Sequence, residues 1–87
     1  KSRGSKQFRD LFRKLPADVK KQAYAAYRLF TINPNHPGLH FKKIHDKLYS
    51  VRVGLKYRAL GVMENSDLII WIWIGSHAGY DKLIKEM

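Results

Sequence analysis

The chain has 87 residues, of which 45% are hydrophobic and 13% aromatic, enough for one modest core and too apolar for a disordered tail. It contains no cysteine, which excludes disulfides, thiolate metal sites and cysteine nucleophiles and fits a reducing cytoplasm. Its formal net charge of +10 predicts that it binds RNA or another polyanion, the alternatives being an acidic protein partner or a charge that serves solubility.

The positive charge is concentrated in residues 1–60, which carry 15 basic and 3 acidic side chains. Residues 61–87 carry 2 basic and 4 acidic side chains. No secretory signal is apparent, and the longest apolar run, Leu68–Ile74, is too short to cross a bilayer. We therefore expect a cytoplasmic protein with no membrane partner. Because the sequence begins with Lys1 and not with methionine, we also expect a few residues to precede it.

The first third of the chain predicts two helices. Ser5 is a suitable N-cap for the first, whose apolar residues have the spacing of one buried stripe: Phe8, Leu11, Phe12 and Leu15. Pro16 ends this helix and can occupy the first position of the second. The predicted buried face of the second helix consists of Val19, Ala23, Ala26, Tyr27 and Phe30. A turn-rich loop with Asn33-Pro34 and Pro37-Gly38 follows, so we expect an antiparallel helix hairpin.

The remainder of the chain predicts a sheet. Its four expected strands are Leu39–Ile44, which is irregular, Tyr49–Val53, Tyr57–Met63 and the uniformly apolar Leu68–Ile74. The last of these should be a central strand covered on both faces. A short final helix would place Tyr80, Leu83, Ile84 and Met87 on one side. The expected fold is α+β, a single domain over residues 1–87 with a two-helix N-terminal hairpin on a mostly antiparallel four-stranded sheet and a short C-terminal helix.

The sequence lacks the common patterns of metal and nucleophile chemistry. Its seven carboxylates are scattered, and there is no glycine-rich phosphate loop. The four histidines, His36, His40, His45 and His77, show no metal-ligand spacing within a predicted helix. We therefore predict neither a bound metal nor a cofactor.

Two arginines form a candidate anion site. If residues 54–56 make a three-residue hairpin loop, Arg52 lies directly opposite Arg58 on the neighbouring strand. Like charges in this position destabilise a sheet unless an anion normally lies between them. A two-residue loop would shift the pairing, and two solvated arginines on an exposed face are the alternative.

Two groups that could transfer protons follow the last predicted strand, His77 and Tyr80. Residues at strand ends often carry function, although a loop histidine and a core tyrosine are the simpler interpretation. Metal-free RNA cleavage would use both of them together with Arg52 and Arg58. The 2′-OH loses a proton, negative charge builds on the phosphoryl oxygens near the guanidinium groups, and the leaving 5′-oxygen gains a proton.

Further basic residues are predicted to bind the RNA backbone. Lys42, Lys43 and His45 lie on the first predicted strand, and Lys56 lies in the hairpin turn. His45 could also serve as a second proton carrier.

Three segments of the chain resemble one known family. The run Tyr49–Leu60 resembles the Y-x-V-R-V-G-x-Y-R hairpin of the RelE/ParE superfamily of type II toxin–antitoxin toxins. Asn33-Pro34 with Pro37-Gly38 resembles its L-x-x-N-P-x-x-P-G passage, and Ile74–Tyr80 is similar to the segment that closes its active site. The resemblance covers essentially the whole chain, and its specificity comes from the order and spacing of the motifs.

The resemblance implies a ribosome-dependent mRNA endonuclease that forms a 2′,3′-cyclic phosphate and is held inactive by a cognate antitoxin protein. Its implied partners are therefore that antitoxin and mRNA in the ribosomal A site. Arg58 matches an arginine near the scissile phosphate, Arg52 a basic position on the preceding strand, and Tyr80 an aromatic that contacts the substrate. His77 lies where RelE-like members carry arginine and others histidine.

Two other functions remain open at this point. ParE-type toxins share the fold but inhibit DNA gyrase without cleaving RNA. A plain RNA-binding module without chemistry would also fit the charge.

Overall fold

A computed structural model describes residues 2–86 and has a mixed α+β architecture. In chain order its elements are β1 (Ser2–Gly4), α1 (Lys6–Arg13), α2 (Ala17–Ile32), a 3₁₀ turn (Pro37–Leu39), β2 (Lys42–His45), β3 (Leu48–Val53), β4 (Tyr57–Asn65), β5 (Leu68–Ser76) and α3 (His77–Lys85). The strands form one 5-stranded sheet in the order β1-β5-β4-β3-β2. All neighbouring strands are antiparallel except β1 and β5, which are parallel.

The predicted α+β class and helix order are confirmed, but the sheet has a fifth strand, β1. Three residues are too few for the two-residue period of a strand to be recognised in the sequence. This strand is defined by its pairing with β5. The cap at Ser5 is confirmed, since its Oγ accepts from the Phe8 N–H at 3.1 Å. Pro16 is the N-cap of α2 and not its first residue.

Helices α1 and α2 cover the same face of the sheet but pack on different strands. Helix α1 packs mainly against β5 and β1, whereas α2 packs mainly against β3 and reaches Trp71 of β5 through Phe30. The core beneath them consists of Leu39, Val51, Val53, Ala59, Ile69, Trp71 and Ile74. Aromatic contacts link the two layers, for example Phe30 with Trp71 at 5.4 Å between ring centroids.

The first predicted strand, Leu39–Ile44, is wrong in its first half. Pro37–Leu39 form a 3₁₀ turn, and Leu39 is 1% exposed in the core. His40 then adopts a left-handed conformation, φ 47° and ψ 42°, which no strand can contain, so β2 starts at Lys42. Sequence periodicity carries no signal for this arrangement.

The hairpin between β3 and β4 has the predicted three-residue loop. Val53 pairs with Tyr57 and Arg52 with Arg58, while Gly54 takes a positive φ of 61° that a side chain would disfavour. Strand β5 is an interior strand as its apolar run predicts, but β4 lies in the middle of the sheet.

The second face of the sheet is covered in part by α3, which packs on β4 and β5. Because side chains alternate along a strand, the residues between the core positions of β3 and β4 lie on this face: Ser50, Arg52, Arg58 and Leu60. Tyr80 of α3 is 7% exposed there. Leu83 and Ile84 are half-buried as predicted, and Met87 lies outside the described residues. Within residues 2–86, no helix is long and apolar enough to cross a membrane.

Candidate functional site

Arg52 and Arg58 occupy directly opposite positions on the second face of the sheet, and both are half-buried. The Arg52 guanidinium is oriented by its own hairpin, because its Nε donates to the Gly54 carbonyl oxygen at 3.1 Å. Two cations in neighbouring positions repel each other, and an anion placed between them would relieve this repulsion.

Arg58 has unused hydrogen-bond donors inside the protein. Its Nε and Nη1 are inaccessible to solvent and, within residues 2–86, have no hydrogen-bond partner. An unsatisfied buried donor costs about 1–3 kcal/mol, and more when the group is charged. Oxygen atoms of a bound anion would satisfy these donors in the strongest way available to a guanidinium.

Tyr80 covers Arg58 with the face of its ring. The guanidinium carbon lies 5.3 Å from the ring centroid, a cation–π distance. Because only 7% of Tyr80 is exposed, its ring has little surface left for stacking on an RNA base. This geometry favours a role in holding Arg58 in place.

His77 lies beside Tyr80 at the first position of α3, with 5.9 Å between the ring centroids. Its side chain is 49% exposed, and its Nδ1 is 3.1 Å from Asp81 Oδ2. A carboxylate only accepts, so Nδ1 bears the proton and Nε2 is the nitrogen left for a substrate. The helix is fixed locally, since the His77 N–H donates to the Lys56 carbonyl at 2.7 Å and Ser76 caps the first turn.

Sequence reasoning missed two residues of this site, His40 and Asp81. The i, i+4 spacing of His77 and Asp81 on the predicted last helix could have indicated their contact. His40 Nε2 lies 3.3 Å from Arg52 Nη1. This contact depends on the left-handed backbone of His40 and could not be read from the sequence.

The predicted RNA-binding residues do not share one face. Lys42 pairs with Ser50 and therefore lies on the face of Arg58, whereas Lys43 pairs with Tyr49 and lies on the opposite face. Because adjacent strand residues alternate, the two lysines do not form one patch, and their role in RNA binding stays a prediction.

The other two predicted RNA-binding residues lie at different distances from the arginines. His45 pairs with Leu48, four positions from Arg52, which corresponds to about 13 Å along the strand. Lys56 is exposed in the turn that contacts the start of α3. Within the described part of the chain, none of Lys42, Lys43 and Lys56 forms an ion pair. No three His, Asp or Glu side chains of residues 2–86 are close enough to hold one metal ion.

A second feature, which we call the helix groove, lies between α1 and α2 over the first face of the sheet and has a volume of about 750 Å³. Its floor includes Val51, Ala59 and Trp71, and its walls include Phe8, Phe12, Tyr24 and Tyr27. Tyr27, predicted to be buried, is 45% exposed, and Tyr24 is 55% exposed, because the helices pack on different strands. The exposed Arg3, Arg9 and Arg13 line one side of the groove.

A family model for the ParE-like toxin domain matches residues 17–82, and the chain therefore belongs to this family. The protein is a toxin of the kind found in toxin–antitoxin systems, which confirms the family identified from its sequence motifs.

Solved structures with the same fold include the RelB–RelE antitoxin–toxin complex from Methanococcus jannaschii, at 23% identity and a TM-score of 0.68 over 92% of this chain and 95% of the other. A copper-bound mutant toxin from Helicobacter pylori has 16% identity and a TM-score of 0.60 over 91% and 96%. The toxin–antitoxin complex RelBE2 from Mycobacterium tuberculosis has 20% identity and a TM-score of 0.58 over 88% and 90%. A search of curated proteins finds no match.

Proposed function

We propose that this toxin is a metal-independent, ribosome-dependent mRNA endonuclease that leaves a 2′,3′-cyclic phosphate, with residues 1–87 acting as one domain. The observation that carries the proposal is the pair of buried Arg58 donors, which have no partner within residues 2–86, opposite a second arginine, with His77 next to the Tyr80 ring that covers Arg58. A scissile phosphate of mRNA in the ribosomal A site supplies the anion that these donors lack.

The chemistry follows from the positions of the side chains. As the 2′-oxygen attacks phosphorus, negative charge grows on the phosphoryl oxygens, where Arg52 and Arg58 stabilise it; the Arg58 side chain has to shift to expose its Nε and Nη1 to the phosphate. Tyr80 holds the Arg58 guanidinium from behind. His77, oriented by Asp81, presents Nε2 to the substrate and transfers a proton. Lys42, exposed on the same face as Arg58, attracts the RNA backbone.

Replacing Arg58 tests this proposal. Arg58→Ala should abolish both the ribosome-phased cuts detected by primer extension and the growth inhibition, because the phosphate loses its principal donors. Arg28→Ala is the matched control, since it removes the same charge from an exposed position on α2. Full toxicity of a folded Arg58→Ala protein would refute the proposed site.

A second candidate function is inhibition of DNA gyrase by binding, which the match to a ParE-like family favours. In that case the basic surface and α3 serve recognition only. After induction, intact mRNA together with a DNA-damage response would support this function, whereas ribosome-phased cuts would support the ribonuclease.

We propose further that the cognate antitoxin occupies the helix groove with an acidic amphipathic segment. The apolar floor disfavours a nucleic acid backbone. Arg3 and Arg9, which form no ion pair within residues 2–86, complement acidic side chains, whereas Arg13 is paired with Asp10. The α2 wall extends from Ala23 to Phe30, about 10 Å of helix, which matches roughly two turns of a partner helix. RelB–RelE and RelBE2, two of the structural neighbours, are complexes with antitoxins.

A further inference from the structure

The arginine pair has a histidine at each end of its row across the sheet. Lys42 pairs with Ser50, and continuing this register by two residues places His40 beside Arg52. The Nε2 atom of His40 is 3.3 Å from Arg52 Nη1. At the other end, Arg58 pairs with Gly75, two residues before His77. Strands are about 4.8 Å apart, so the backbones of His40 and Gly75 are roughly 14 Å apart, a span that two imidazoles and one phosphate can fill.

The position of His40 is maintained against a backbone preference. It is the one non-glycine residue with positive φ in the described chain, 47°, a region that few residues other than glycine adopt, although Asn, Asp and His are enriched there. Leu39, 1% exposed, anchors the turn in the core. The His40 N–H donates to the Pro37 carbonyl at 3.2 Å, and His36 Nδ1 accepts from the Gly38 N–H at 3.0 Å. Such unfavourable conformations persist where the surrounding structure determines them, and they concentrate at functional sites.

The hydrogen-bond roles of His40 and Arg52 determine which proton transfer His40 can perform. A guanidinium only donates, so Nε2 of His40 is the acceptor in the contact with Arg52 and carries a lone pair. When a phosphate takes the Arg52 donors, this lone pair becomes free beside the phosphate. A free lone pair on a neutral imidazole is what a general base requires.

We propose that His40 is a catalytic residue, the general base of the ribonuclease proposed above, and the assignment rests on that function. Nε2 of His40 takes the proton of the 2′-OH, the 2′-oxygen bonds to phosphorus, and the bond from phosphorus to the 5′-oxygen breaks. The imidazolium of His77 gives its Nε2 proton to the departing 5′-oxygen. The products are a 2′,3′-cyclic phosphate and a 5′-hydroxyl; His40 has gained the 2′-OH proton, and His77 has lost the proton that it gave to the 5′-oxygen.

A substrate with a sulfur leaving group distinguishes the role of His40 from the role of His77. The assay is single-turnover cleavage of mRNA in the A site of programmed ribosomes, with either oxygen or a bridging sulfur at the 5′ position of the scissile linkage. A thiolate leaves without a proton, so it removes the need for an acid but not for a base. His40→Asn is the variant of choice because asparagine accepts the left-handed backbone, and Asn35→Ala is the control in the same exposed loop.

The expected result is a roughly 10²- to 10⁴-fold slower cleavage of both substrates by His40→Asn. His77→Ala should be slow on oxygen and close to the wild-type rate on sulfur, and Asn35→Ala should match wild type on both. His40→Gly should regain part of its rate with added imidazole, which a purely structural defect would not.

Three outcomes would overturn the assignment. A folded His40→Asn protein that cleaves both substrates at the wild-type rate shows that His40 has no catalytic role. A defect of His40→Asn that disappears on sulfur makes His40 the acid and not the base. Wild-type protein that leaves both substrates intact refutes the ribonuclease itself, and His40 with it.

Discussion

Substituting Tyr80 tests directly how the site is built, because a role for its hydroxyl and a role for its ring predict opposite results. The ring lies over the Arg58 guanidinium at 5.3 Å and is 7% exposed. If the ring face holds Arg58, Tyr80→Phe should leave the single-turnover rate of mRNA cleavage within a few-fold of wild type, since phenylalanine retains the ring. If the phenol transfers a proton, the same change should slow cleavage by roughly 10²- to 10⁴-fold.

The size of the ring effect follows from replacing the aromatic face by an aliphatic side chain. A cation–π contact is worth about 0.5–2 kcal/mol, depending on desolvation, which corresponds to roughly a 2- to 30-fold change. Tyr80→Leu should therefore lose about that factor in cleavage rate. Tyr80→Ala is less informative, since truncating a buried aromatic costs roughly 3–5 kcal/mol of stability and would confound the rate with unfolding. Thermal unfolding of each variant, followed by circular dichroism, provides the control.

A loss of two orders of magnitude in a folded Tyr80→Phe protein would contradict this reasoning. The hydroxyl would then be a proton carrier in spite of its burial. His77 would have to share the chemistry with it.

Three further predictions concern the fold, the partner and the RNA. Gly75→Ala should lower stability by about 1–3 kcal/mol in thermal or urea unfolding, because a Cβ would lie 2.6 Å from the adjacent indole ring. Tyr27→Glu should weaken rescue by the antitoxin while mRNA cleavage continues. Ile32→Glu, at a position 80% exposed at the end of the same helix, should change neither rescue nor cleavage. Equal rescue of both variants would exclude the helix groove as the antitoxin site. Lys42→Ala should weaken RNA binding and reduce its salt dependence by about one unit of slope, and Lys43→Ala should have a smaller effect because its side chain lies on the other face.

The sequence predicted those parts of the molecule that depend on local periodicity. The stripe from Phe8 to Leu15 and the alternation in β3 located the elements, and the three-residue loop after Val53 was sufficient to pair Arg52 with Arg58. Because a strand register is fixed by its turn, this long-range contact followed from a short-range signal.

The parts that could not be predicted depend on tertiary contacts. Strand β1 consists of three residues and is defined by its partner β5. Histidine adopts the left-handed region more often than most residues, but this preference is too weak to locate the turn, so the contact of His40 with Arg52 stays hidden. The helix groove exists because α1 and α2 pack on different strands, which the helical periods do not specify.

The buried donors of Arg58 have a consequence for the isolated protein. Two facing cations, and two buried N–H groups that have no partner within residues 2–86, weaken the domain. Any oxyanion that binds the folded state alone must raise the melting temperature, and the increase grows with the logarithm of its concentration. Inorganic phosphate or a short oligonucleotide should therefore act as a stabilising additive during purification, because the bound oxyanion would also complete the fold.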